Sequence, residues 1–225
     1  MPRPHVRYVE AAVDTFAAAL AAQEDGVSHI ELCGPLHDGG TTPSAGLIAR
    51  CCEKLLVSVN VLIRPRVGDF VYSDDDIEIM KRDIAVAKAL GVDCVAMGAL
   101  TPDGEVDAAR MADLISVATP LRVVFHKAFD HVRDQDEALE LLVSLQVNAI
   151  LTSGGAPTAA EGAPKLAQLV ERAGDRIRIV AGGKITTATV NNLIQLTGVS
   201  AVHAREFQGM SAAIAASRAF PHPGY

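Results

Sequence analysis

Short apolar, β-branched runs recur at even intervals along this chain. Each is followed by a loop and then by an amphipathic stretch, and this alternation restricts the fold more than any other feature. The clearest instance is Val57 to Ile77, VSVNVLIRPRVGDFVYSDDDI. Val57, Val59, Val61 and Ile63 fall in a run too short to span a membrane, as in a parallel strand buried on both faces. Where it stops come Arg64-Pro65-Arg66 and Gly68-Asp69. Ser73 to Asp76 then supply a helix cap and first-turn acids. Ile77, Met80, Ile84 and Ala87 continue at helical spacing.

The unit repeats. Strands are predicted at 6–11, 28–33, 57–63, 92–97, 121–126, 148–152, 176–181 and 199–203. Helices are expected after Asp14, from Ser44 to about Glu53, from Ser73 towards Gly91, at 107–118, after Asp134, at 158–173 and at 186–196. Eight such units predict a single α/β domain over residues 1–225, a parallel (β/α)8 TIM barrel. A doubly wound open sheet is the competing arrangement. Gly26-Val27-Ser28, Gly91-Val92-Asp93, Gln146-Val147-Asn148 and Gly198-Val199-Ser200 each precede an even-numbered strand, and a two-unit echo running the whole chain favours the closed ring. The eighth helix, within 209–219, is expected to be short or missing. Closing the outer wall would then fall to a partner chain, which points to a homo-oligomer.

Net charge is −7, from 20 Lys and Arg against 27 Asp and Glu, with the acids spread over helices. That argues against a nucleic-acid surface and gives no support for anionic membranes. The start, MPRPHVRY, lacks an apolar core segment, and no stretch reaches membrane-spanning length. With four cysteines best taken as reduced thiols, a cytoplasmic protein is expected.

A barrel gathers the carboxyl ends of its strands into one mouth. Delivered there are Glu10, Glu31, Cys33, Arg64, Arg66, Met97, His126, Lys127, Ser153, Gly182, Gly183, Lys184, His203 and Arg205. Any one of them could be a salt bridge or a turn residue; their convergence predicts a functional site. Arg64, Arg66, Lys127, Ser153, Gly154, Gly182, Gly183 and His203 are candidates for holding an anion. Glu10, Glu31, His126 and Asp130 are candidates for proton transfer, with Asp130 either orienting His126 or capping the loop after it. Cys33 and Glu31, two apart on one strand face, are the seed of any metal site, but no CxxC or HxxxH spacing supports one.

Several segments in order resemble the CutC family over almost the full length: Ile30 to Cys33, Gly39 to Ser44 (GGTTPS), Ile63 to Asp69 (IRPRVGD), Gly98 to Gly104 (GALTPDG), Phe125 to Asp130 (FHKAFD), Ile150 to Gly154 (ILTSG) and Gly182-Gly183. The resemblance implies a TIM barrel, a cytoplasmic dimer or tetramer, and Cu(I) binding in copper homeostasis. The family's proposed copper thiols end the first two strands. Cys33 matches the second, Ala12 stands where the first falls, and Met97 or a thiol of a partner chain is the candidate substitute. Lys127 replaces a usual Arg and Lys184 a third Gly. Two functions therefore compete. One is copper homeostasis through Cys33. The other is a barrel enzyme or sensor for a small anionic metabolite, phosphorylated ones included, at the mouth.

Overall fold

The structure is a computed structural model that describes residues 8–218. Residues 6 and 7 of the first predicted strand, and the end of the predicted tail at 219, lie outside them. Eight strands, β1 (Tyr8–Val13), β2 (His29–Leu32), β3 (Ser58–Leu62), β4 (Cys94–Met97), β5 (Arg122–Phe125), β6 (Ala149–Thr152), β7 (Arg178–Gly182) and β8 (Ala201–Ala204), pair in parallel in sequence order. β8 returns to β1, so the sheet closes. The open-sheet alternative is excluded. Eight helices follow: α1 (Phe16–Glu24), α2 (Ala45–Lys54), α3 (Asp74–Ala89), α4 (Ala108–Ala118), α5 (Gln135–Ser144), α6 (Ala163–Ala173), α7 (Val190–Thr197) and α8 (Met210–Arg218). None is long and apolar enough to cross a membrane.

Strand alternation sorts the side chains. Ala11, Val13, Ile30, Leu32, Val61 and Met97 face outward into the layer between sheet and helices, all buried. Each Val, Ile, Leu or Met side chain removed from water contributes about 1.5–3 kcal/mol. The opposite faces fill the barrel: Ala149, Leu151, Val180 and Ala201 form an apolar plug on one side, while Glu10, Glu31, Asn60 and His203 occupy the other.

The local signals behave as the residues dictate. Ser73 and Asp76 form a reciprocal capping box at α3, and Asp107 and Asp134 cap α4 and α5. Several boundaries differ, among them α7, which starts at Val190 rather than at 186. Thr15, not Asp14, caps α1, while Asp14 accepts from the Leu36 N–H. α6 starts at Ala163 because 154–162 fold into turns around Gly162, where a Cβ would collide with the Ser153 carbonyl. α8 is nine residues long, as long as α1, with Met210 and Ile214 buried. The outer wall thus closes within one chain.

Candidate functional site

The polar half of the barrel interior is built by register. Glu10 pairs with His203 across β1 and β8, and Glu31 with Asn60 across β2 and β3. Asn60 donates to Glu10 Oε1 at 2.5 Å. His203 Nε2 lies 3.0 Å from Glu31 Oε2, with both side chains buried. Burial pulls the Glu31 carboxyl upward, but the charge and hydrogen bond of His203 outweigh it and hold the carboxyl below its ordinary value. Burial pushes His203 down, and the neighbouring Glu31 and Glu10 reverse that, raising it. The pair is an imidazolium–carboxylate. Glu10 is raised by its own burial and by the Glu31 charge.

His126 follows β5 and is 4 % exposed. Its ring fits because Gly98 lies beside it: a Cβ there would be 2.8 Å from Nδ1. Nδ1 accepts the Ala128 N–H at 3.3 Å, so the neutral ring carries its proton on Nε2. Burial depresses the imidazole to about 4, which keeps it neutral at physiological pH. Nε2 is buried and has no hydrogen-bond partner among the described residues. The adjacent Phe70 ring, 5.0 Å from that of His126, is also stacked under the Arg64 guanidinium. Arg64 donates to the Gly40 and Gly68 carbonyls at 2.9 and 2.8 Å, which fixes it at the mouth.

Above these groups opens a cavity of about 390 Å³. Glu31, Cys33, Arg64, His126, Lys127, Lys184, His203 and Arg205 contribute to its lining. Beside it Asp130 gathers Lys127 Nζ (2.5 Å), the Thr152 hydroxyl (2.5 Å) and the N–H groups of Ser153 and Gly155 (3.0 Å each). Burial alone would raise Asp130; Lys127 and these donors hold it below its ordinary value. Lys127 also reaches Ser153 Oγ at 3.0 Å.

Comparison with known proteins places this geometry. The family model described as the CutC family matches residues 7–208. The chain belongs to the CutC family. It is 42 % identical over 195 residues to the human copper homeostasis protein cutC homolog, covering 87 % of this chain and 71 % of the relative. A CutC family protein of Xanthomonas campestris is 42 % identical over 215 residues, covering 96 % and 88 %. The crystal structure of CutC from Streptococcus agalactiae superposes with a TM-score of 0.86 at 34 % identity, covering 89 % of this chain and 99 % of that one.

For this CutC chain the mouth gathers some expected residues and not others. Glu31, Cys33, Arg64, His126, Lys127, Gly183 and His203 meet at the cavity. Glu10 does not line it; it lies one layer below, tied to Asn60. Arg66 turns away to Asp69 and Asp76 and stacks on Tyr72. Asp130 anchors the loop after β6 and does not orient His126, and Ser153 is buried within that same cluster. Gly154 and Gly182 serve packing: a Cβ would meet the Gly162 carbonyl at 2.7 Å and Leu151 at 2.6 Å. Asn60 and Phe70 had no place in the sequence reading. A polar residue at an inward position of VSVNVL was the available signal for Asn60; Phe70, inside a loop, offered none.

The family's association with copper can be tested on the donors present. Cys33 is 2 % exposed, and burial together with the Glu31 charge pushes its thiol well up, so it stays protonated, donating towards Glu31 Oε2 at 3.6 Å. Ala12 presents only a methyl group to the cavity. Met97 faces the helices, fully buried in the outer layer, because it sits one residue out of phase with the inward Ala96 and Gly98. Among the described residues no group of three or more His, Cys, Asp or Glu is arranged to hold a metal ion. A soft Cu(I) ion calls for thiolate or thioether partners, and this donor set does not fit it.

Proposed function

We propose that the barrel mouth of this CutC protein binds a small anionic metabolite and moves a proton on it. The observation that carries this is the pairing of opposite proton chemistries on one cavity: the Glu31–His203 ion pair and the partnerless Nε2–H of neutral His126. A site whose environments drive titratable groups in opposite directions is suited to acid–base work. Glu31 Oε1 has no hydrogen-bond partner among the described residues and is the base that takes a proton from a ligand carbon or hydroxyl. The electron pair left behind moves onto a ligand oxygen, and His126 Nε2–H holds that oxygen as its charge grows. The His203 imidazolium keeps Glu31 ionised and oriented. Arg64 and Lys127 supply the positive potential that draws an anion in. A cavity of about 390 Å³ sits at the small end of ligand pockets.

The test is deuterium uptake from D2O into a panel of short hydroxycarbonyl acids and their esters, followed by proton NMR. Wild type is expected to catalyse exchange in at least one member, and Glu31→Gln to slow it by about a hundredfold or more. Absence of uptake in every member, together with no thermal stabilisation by any small anion, would sink the reading. Copper titration of the same protein, with a cytoplasmic homo-oligomer as the expected form, tests the competing view.

A further inference from the structure

We propose that the ligand of this mouth is a phosphate monoester, its phosphate held on the rim by Lys184, Arg205 and the Gly183 backbone. The proposal rests on the mouth being a small-anion site and specifies which anion.

The rim is built from the loops that follow β7 and β8. These strands are neighbours, with Gly182 and His203 as register partners, so Lys184 and Arg205 rise side by side, each two residues beyond its strand's inward-facing partner. Both line the cavity. Among the described residues neither side chain has an ion pair or a hydrogen bond. The other cations around the barrel rims contrast with them: Lys127 is held by Asp130, Arg66 by Asp69 and Asp76, and Arg110 by Asp74 and Asp107. Among the described residues of the β7 and β8 loops that line the cavity, Glu206 is the carboxylate beside them, and it offsets only one of the two charges. Two adjacent cations repel unless an anion joins them.

The backbone is shaped for the same purpose. Gly183 has φ 120°, and a Cβ there would stand 3.0 Å from the Ser153 Cβ and 3.3 Å from the Ala159 amide nitrogen. Only glycine fits, and its carbonyl is tied to the Ala159 N–H at 2.9 Å, which fixes the loop on the cavity wall. Lys184 follows with φ 52°, a left-handed conformation that a side chain rarely adopts. The strained residue is thus a cation on the cavity wall, where glycine would be the unstrained choice. Barrel loops after the seventh and eighth strands are a frequent phosphate position for the same geometric reason: backbone and cations converge there.

Spacing fits a short ester. Arg205 stands two residues past His203, a rise of about 7 Å along the strand direction. A phosphate on Arg205 therefore leaves the rest of a short ester extending towards Glu31, His203 and His126, which line the same cavity. A dianionic phosphate carries three acceptor oxygens for this rim, which a carboxylate does not.

The experiment is calorimetric titration of the full chain with inorganic phosphate, with malonate as a carboxylate probe and acetate as the monoanion control. Wild type is expected to bind phosphate more tightly than malonate. Arg205→Gln with Lys184→Gly is expected to weaken phosphate about tenfold or more, since each loses a charge-assisted contact. Lys184→Gly suits its own backbone angle, and the single Arg205→Gln variant provides a second reading should the pair fold poorly. Arg82→Gln, which removes a cation from the exposed face of α3 away from the cavity, is expected to leave phosphate affinity within about twofold. Phosphate affinity unchanged in the rim variants overturns the proposal. Malonate binding without phosphate binding also overturns it while leaving the mouth an anion site. Binding of neither anion removes both readings.

Discussion

His203 Nε2 lies 3.0 Å from Glu31 Oε2 although 172 residues of chain separate them, because β8 and β2 both flank β1 in the closed barrel. The linkage signs define where this pair stabilises the fold. Glu31, with its folded value depressed, contributes fully above its ordinary 4.5 and loses that contribution as pH falls through the lower folded value. His203, with its folded value raised, contributes fully below its ordinary 6.5 and loses it as pH rises through the higher one. The stability difference between wild type and Glu31→Gln should therefore be greatest between pH 4.5 and 6.5, at about 3 kcal/mol. Urea midpoints across the pH range measure it. A flat difference would mean the pair is not ionic.

His126 produces a slope of its own. Its folded value of about 4 lies below its ordinary 6.5, so the unfolded chain binds the extra proton between those limits and stability falls as pH drops through them. The shift corresponds to about 3 kcal/mol in full. His126→Gln, which keeps an N–H donor without a titrating ring, should lose less stability than wild type between pH 6.5 and 4. Equal acid sensitivity in both proteins would contradict a buried neutral histidine.

The barrel was legible because its cause is repetitive: each β-branched run and each 3.6-period helix face restates the same layer. α4 lies within a residue of its expected limits for that reason, and β4 within two. The site was only half legible. Which charged residues arrive at the mouth follows from strand ends, so Glu31, Arg64 and His126 could be named. Which way each points is set by a parity of one residue and by tertiary partners. Met97 shows the first effect, since a thioether one position out of phase belongs to the helices. Arg66 shows the second: Asp69 and Asp76 hold it away, and nothing local to Arg64-Pro65-Arg66 tells the two arginines apart.

Asp130 holds the loop after β6 rather than doing chemistry. Its carboxylate takes Lys127, the Thr152 hydroxyl and two backbone N–H groups at once. Asp130→Ala strands those donors and should cost about 3 kcal/mol, seen as a lower thermal midpoint at pH 7. Its folded value is depressed, so this stabilisation is present above the ordinary 3.8 and fades as pH falls below it. Wild type and variant should converge in strong acid. A variant as stable as wild type at pH 7 would show that the cluster is not what fixes the loop.

Copper provides the sharpest contrast with the family name. Anaerobic Cu(I) titration against a competing chelator should find no tight one-ion site in wild type, and no difference between wild type and Cys33→Ala. The reason is local: one protonated thiol, tied to Glu31, faces a methyl group at Ala12. Ala12 lies beside Glu31 in the β1–β2 register, so a thiol placed there joins Cys33 on the same wall of the cavity. Ala12→Cys should then raise Cu(I) affinity by about a hundredfold or more, since a second soft ligand favours deprotonation of both thiols on metal binding. Ala12→Cys with Cys33→Ala should lose the gain. Tight binding by wild type that vanishes in Cys33→Ala would reverse the argument and make copper, not an organic anion, the cargo of this mouth.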